Sequence, residues 1–131
     1  MEKTVFLVPT DFSKVGDCAL RHAVKVAEIS NASITLIHVV GKQEMLGDAR
    51  MKLKLAKQRT LEEHNFEVVT VARVGSIFED IGDLAEELEV TLVIMGTHGL
   101  RGMQFITGSR ALKIVTSAPT PFIIVQEKEI E

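Results

Sequence analysis

The segment from Met95 to Ser109, MGTHGLRGMQFITGS, holds four of the chain's nine glycines in fifteen residues. Gly96, Gly99, Gly102 and Gly108 follow the apolar run Leu92-Val93-Ile94 and precede a helical pattern. Residues without a Cβ let the main chain take positive φ and bring N–H groups close to a ligand oxygen, as a phosphate cradle requires. Ser109 adds a hydroxyl at the head of the next helix, where unpaired N–H groups and the positive dipole end favour an anion. A second polar group, Pro9-Thr10-Asp11-Phe12-Ser13, follows the first apolar run. There Asp11 offers a carboxylate that accepts from ribose hydroxyls or a base amino group, or shares a divalent cation held by phosphates. Its alternative role is to stabilise the turn into the first helix. A nucleotide pocket is the leading idea.

Both groups need strands and helices to position them. Val5–Val8, Ile34–Val40, Val68–Val71, Leu92–Met95 and Phe122–Val125 are short runs rich in β-branched residues, nearly continuously apolar as in strands covered on both faces. Helical periods lie between them: Ala19, Ala23, Val26 and Ala27; Ile77, Ile81, Leu84, Ala85 and Leu88; and, less regularly, Ala111, Leu112, Val115 and Ala118. Residues 46–64 form a weaker helix with Ala49, Leu53, Ala56 and Thr60 on one stripe. Ser13 is placed to cap the first helix, Gly41 and Gly75 follow strands, and Pro119 and Pro121 bracket the step into the last strand. Strand and helix in strict alternation predict a single α/β domain over residues 1–131, an open doubly wound parallel sheet with helices on both faces. Ligands of such sheets sit outside the carboxyl ends of the strands where the winding reverses, so the loops after strands one and four are expected to share a crevice.

Composition narrows the partners. The chain has 131 residues, 46% hydrophobic, with 15 basic and 18 acidic residues and a net charge of −3. Only Lys52, Lys54, Lys57 and Arg59 cluster, in a helical stretch that reads as a solvated face, so neither nucleic acid nor an anionic membrane is an expected partner. Cys18, the single cysteine, reads as a buried thiol and excludes an intrachain disulfide or a thiolate metal cluster. Met1-Glu2-Lys3 leads straight into a strand and no run reaches membrane-spanning length, which together predict a cytoplasmic protein.

Val8-Pro9-Thr10-Asp11-Phe12-Ser13, Ile37-His38-Val39, Met95-Gly96-Thr97-His98-Gly99, Gly108-Ser109 and Pro121-Phe122-Ile123-Ile124-Val125 occur in order along the whole chain. In this the sequence resembles the universal stress protein family. The resemblance implies a five-stranded sheet of order 3-2-1-4-5, usually in a homodimer, with ATP bound in one branch of the family and absent in another. In the ATP-binding branch the positions matching Pro9, Thr10 and Asp11 face the nucleoside and the one matching Val39 lies beside the base. Those matching Met95, Gly96, Gly99, Gly108 and Ser109 hold ribose and phosphates. Thr97, His98 and Arg110 complete the candidate set. ATP, with magnesium or manganese, is the expected ligand. The family's nucleotide pattern has nine residues between the second glycine and the Gly-Ser pair, whereas Leu100 to Thr107 is eight. If that segment is helical, one missing residue rotates the Gly-Ser pair by about 100° relative to Gly99; if it is loop, the change is absorbed.

Three functions remain in competition. The first is a stress-response regulator that binds an adenine nucleotide without turnover. The second is a nucleotide-free dimeric stress-associated interaction module, which the shortened spacing favours. The third and least supported is a slow phosphoanhydride hydrolase using Asp11 with His98 or Ser109. No nucleophile pairs with His98, and Walker, Ser-Gly-Gly and Gly-x-Ser-x-Gly motifs are missing, so no catalytic residue is assigned and the protein is read as a non-enzyme. In the order 3-2-1-4-5 the last strand is an edge, apolar on both faces, which predicts a two-fold dimer through residues 121–126.

Overall fold

The computed structural model describes residues 4–97 and 120–126. Five parallel strands, β1 (Val5–Pro9), β2 (Ser33–Val40), β3 (Val69–Val74), β4 (Leu92–Thr97) and β5 (Phe122–Gln126), form one sheet of order β3-β2-β1-β4-β5. Helices α1 (Lys14–Ser30), α2 (Leu46–His64) and α3 (Ile77–Glu87) connect them, with a single 3-10 turn at Gln43–Met45 before α2. The chain winds from β1 outward to β3 and then crosses to β4 on the other side of β1. The reversal falls between β1 and β4, where Phe6 pairs with Leu92 and Leu7 with Val93.

Strand alternation sorts the apolar residues into two cores. Phe6, Val8, Ile34, Leu36, Val68 and Ile94 meet Ala19, Leu20, Ala23, Val24 and Ala27 of α1 and Leu53 and Ala56 of α2 on one face. Leu7, Ile37, Val93 and Met95 meet Ile81, Leu84 and Ala85 of α3 on the other. Each side chain belongs to the face its parity dictates, which is why the strands read as continuous apolar runs. The expected stripe of α2 is the buried one, Ala49, Leu53, Ala56 and Thr60. Small residues there let the helix lie close to the sheet, and the buried Thr60 hydroxyl is satisfied by donating to the Ala56 carbonyl at 2.8 Å.

Two expectations for α1 change. Val26 is half-exposed and Val24 is buried in its place, because the Ala19, Ala23, Ala27 stripe turns the flank carrying Val26 towards solvent. Cys18, one position off that stripe, is only partly buried. Strand β3 extends to Val74, beyond the four residues expected. As an edge strand it tolerates Arg73, whose guanidinium pairs with Glu87 of α3 at 2.9 Å. The helix expected over residues 111–118 lies outside the described residues.

Candidate functional site

The carboxyl ends of β1, β2 and β4 bring together Pro9, Thr10, Asp11, Val39, Met95, Gly96 and Thr97. His98, Gly99, Gly108, Ser109 and Arg110 lie outside the described residues. Within the first set the roles divide between side chain and backbone. Met95 is 2% exposed and packs with Leu7 and Ile37 on the α3 face, so its side chain is core and only its main chain reaches the strand end. Val39, on the same face, is half-buried against that core.

The loop from β1 to α1 is held by a dense set of local bonds. The Ser13 hydroxyl caps α1 by accepting from the Gly16 amide at 3.2 Å, as its position in the sequence predicts. The Asp11 carboxylate accepts from the Ser13 amide at 3.0 Å and from the Ser13 hydroxyl, so the exposed Asp11 does serve the turn. The Thr10 hydroxyl accepts from the Phe12 amide at 3.0 Å. Phe12 itself has φ +66°, a left-handed conformation that costs a non-glycine residue about 1–2 kcal/mol. Two ring contacts offset that cost. The Phe12 and His38 rings are 4.6 Å apart at 53°, a geometry contributing about 0.5–1.5 kcal/mol, and the Lys52 ammonium lies 5.8 Å from the Phe12 centroid.

Two glycines make this packing possible. A Cβ on Gly16, in the first turn of α1, would lie 2.9 Å from the Thr10 hydroxyl oxygen and 3.2 Å from Asp11 Oδ1. A Cβ on Gly96 would lie 2.7 Å from the Val15 carbonyl oxygen and 3.0 Å from Val15 Cγ2. The end of β4 is therefore pressed against the first turn of α1, and Gly96 has a packing role whatever it offers to a ligand. From the sequence, a tight turn beneath the first helix is the alternative to the ligand role for Gly96 and Gly99, with the ligand role favoured, and the Val15 contact shows the packing role at Gly96. The close approach of Gly16 is hinted at by a glycine inside a helical pattern without a capping position.

His38, which from its place at the end of strand two is expected to be packed or hydrogen-bonded, is both, and the fold supplies the partners. Its Nδ1 lies 2.6 Å from the Thr10 carbonyl oxygen. A carbonyl only accepts, so Nδ1 carries the proton. Of the other histidines, His64 has its Nε2 buried without a hydrogen-bond partner, beside a groove of about 200 Å³ between α1 and α2. Helix faces build that groove, whereas the strand ends that gather the polar loops lie elsewhere.

The chain is an open doubly wound α/β domain with an acidic loop and a glycine-bearing strand end at its switch point, the place where sheets of this class hold ligands when they bind them. Residues 4–126 match the model of the Universal stress protein family, and the chain belongs to that family. It is 26% identical over 152 residues to a universal stress protein of Methanocaldococcus jannaschii, the match covering 93% of this chain and 94% of the relative. Among solved structures, a universal stress protein in complex with cAMP superposes with a TM-score of 0.77 at 22% identity, covering 98% of this chain and 100% of that one. The universal stress protein from Archaeoglobus fulgidus in complex with dAMP does so with a TM-score of 0.73 at 22% identity, covering 95% and 98%. At such identity the likeness establishes the fold, order β3-β2-β1-β4-β5 included.

Proposed function

We propose that this protein is a cytoplasmic stress-response regulator that binds an adenine nucleotide, ATP in the first instance, at the carboxyl ends of β1, β2 and β4. The supporting observation is the pairing of the Thr10–Ser13 loop with the Gly96 strand end across the switch point, on a fold whose relatives include proteins solved with cAMP and dAMP. Chemistry divides the crevice. A carboxylate at Asp11 repels phosphate and suits hydroxyl or amino donors, so the nucleoside belongs on the β1 side. The phosphates belong with the amides of the segment containing Gly99, Gly108 and Ser109, where Arg110 supplies positive charge. A magnesium or manganese ion enters on the phosphates. Binding without turnover is the reading: the Ser13 hydroxyl that donates to Asp11 is engaged in capping α1, and the sequence carries no Walker, Ser-Gly-Gly or Gly-x-Ser-x-Gly motif.

The protein acts as a homodimer through β5. Ile123 and Ile124 are 42% and 40% exposed on this edge strand, an arrangement that invites pairing with a second copy. The eight-residue spacing between Gly99 and Gly108 keeps a nucleotide-free dimeric module as the second reading. Calorimetric titration with Mg-ATP, ATP alone and cAMP, alongside thermal melts, separates the two. Saturating nucleotide at about 100 times Kd stabilises the folded chain by about 2.7 kcal/mol. Absence of both heat and a melting shift for every nucleotide removes the first reading and leaves the second. A monomer by light scattering at micromolar concentration removes the dimer.

A further inference from the structure

We propose that His38 is a positioning residue for the acidic loop: its ring fixes the Thr10–Asp11 peptide and thereby the Asp11 carboxylate. The proposal rests on the reading of the β1 side as the nucleoside site. Its basis is a clamp on Thr10 from consecutive residues of β2. The Ile37 carbonyl accepts from the Thr10 amide at 2.9 Å, and His38 Nδ1 donates to the Thr10 carbonyl at 2.6 Å. Thr10 follows the last residue of β1, where the sheet ladder would otherwise end. The first of these bonds continues the ladder by one residue, and the second replaces the next backbone donor with a side chain.

The consequence passes to Asp11 through covalent geometry. The peptide bond is planar, so holding the Thr10 carbonyl oxygen fixes the plane that contains the Asp11 amide and Cα. The same ring then packs on Phe12, the residue held in the left-handed conformation immediately after Asp11. His38 thus holds the chain on both sides of the acidic residue without any contact to Asp11 being required. Lys52 of α2 stands over Phe12 as well, and Gly16 of α1 leaves no slack beneath Thr10 and Asp11. With the Ile37 carbonyl, the His38 side chain ties the loop to the sheet.

The test uses the full chain and Mg-ATP as the probe, with H38L and H38N. Asparagine Nδ2 is bonded to Cγ as histidine Nδ1 is, so H38N keeps a donor at the same place in the side chain while H38L keeps bulk alone. The expected result is a roughly five- to tenfold loss of affinity in H38L and recovery to within about twofold of wild type in H38N. A merely structural role would not be rescued by the smaller, more polar residue. Equal affinity in all three proteins, or equal loss in both variants, overturns the proposal. Long-range nitrogen NMR of the unliganded protein supplies an independent readout, and it carries the test where H38L does not fold or where wild type binds no nucleotide. Neutral His38 is expected as the Nδ1–H tautomer, with the Asp11 amide resonance displaced in H38L and restored in H38N. An Nε2–H tautomer, or an Asp11 amide indifferent to both substitutions, overturns the proposal even if ATP binds. Absence of ATP binding to wild type with the expected spectra overturns the nucleotide reading alone.

Discussion

Replacing Gly96 with alanine separates a packing role from a ligand role at the same residue. The added Cβ would meet the Val15 carbonyl oxygen at 2.7 Å, and ordinary contact begins at 3.4 Å, so the first turn of α1 must retreat by about 0.7 Å (3.4 − 2.7). The atom in the way is backbone, which has no alternative rotamer. Val15 is 2% exposed and Ala19 is fully buried, so the retreat opens gaps in the α1 face. A gap of 0.5–1 Å forfeits about a quarter to a half of each contact's attraction, and overpacking of this kind costs about 1–3 kcal/mol. The loss of glycine's freedom in the unfolded chain returns about 0.4–1 kcal/mol. The expected net destabilisation is about 1–2 kcal/mol, or roughly 3–10 °C in Tm for a domain of this size. Urea unfolding and calorimetry of the nucleotide-free protein measure it. G41A is the control, since a Cβ at Gly41 meets nothing within 4 Å. Wild-type stability in nucleotide-free G96A would refute the packing argument and leave Gly96 a residue needed only by the ligand.

Three further outcomes rest on the same kind of reasoning. G16A gains helix propensity of up to about 1 kcal/mol but drives a Cβ against a Thr10 hydroxyl already engaged by the Phe12 amide; melts are expected to fall by a few degrees and Mg-ATP affinity by titration to drop more steeply than stability. S13A removes the cap of α1 and a donor to Asp11, for an expected loss of about 0.5–2 kcal/mol in urea unfolding. G47A, in an exposed first turn of α2 with open space around its Cβ, is expected to raise stability by about 0.5–1 kcal/mol and leave nucleotide titrations unchanged.

Much of the frame is written in one-dimensional periodicity. The α2 stripe Ala49, Leu53, Ala56 and Thr60 is buried as its spacing implies, although the helix is otherwise so polar that its apolar face is narrow. The Ser13 cap is visible because a hydroxyl before a helical run has one main use. Val26 shows where periodicity stops. Its three-residue spacing from Ala23 is compatible with the buried stripe or its flank, and the sheet chooses the flank. The end of β3 is hidden for a related reason, since Ala72 and Arg73 dilute an apolar run whose edge position tolerates them.

The site is legible in a different measure. Pro9, Thr10, Asp11 and Gly96 could be picked out because polar residues and glycines after apolar runs are unusual, and strand order then places them at one rim. What binds them to each other could not. The bond from His38 to Thr10 spans 28 residues and depends on the register that sets Pro9 opposite Ile37. The contact of Gly96 with Val15 depends on how deeply α1 settles onto the sheet. Both are products of packing; the first acts on the acidic loop and the second on the first turn of α1 that follows it. An edge of the crevice held this firmly changes the energetics of a ligand that meets it. The loop loses little freedom on binding, so contacts to Asp11 register as affinity with little deduction for ordering. A hydroxyl approaching Asp11 meets a carboxylate already accepting from Ser13, and gains only the difference between a shared acceptor and water. On the proposed reading, selectivity at this rim would come from placement more than from bond strength, and Gly16 and His38, which set the placement, would bear on recognition as directly as Asp11.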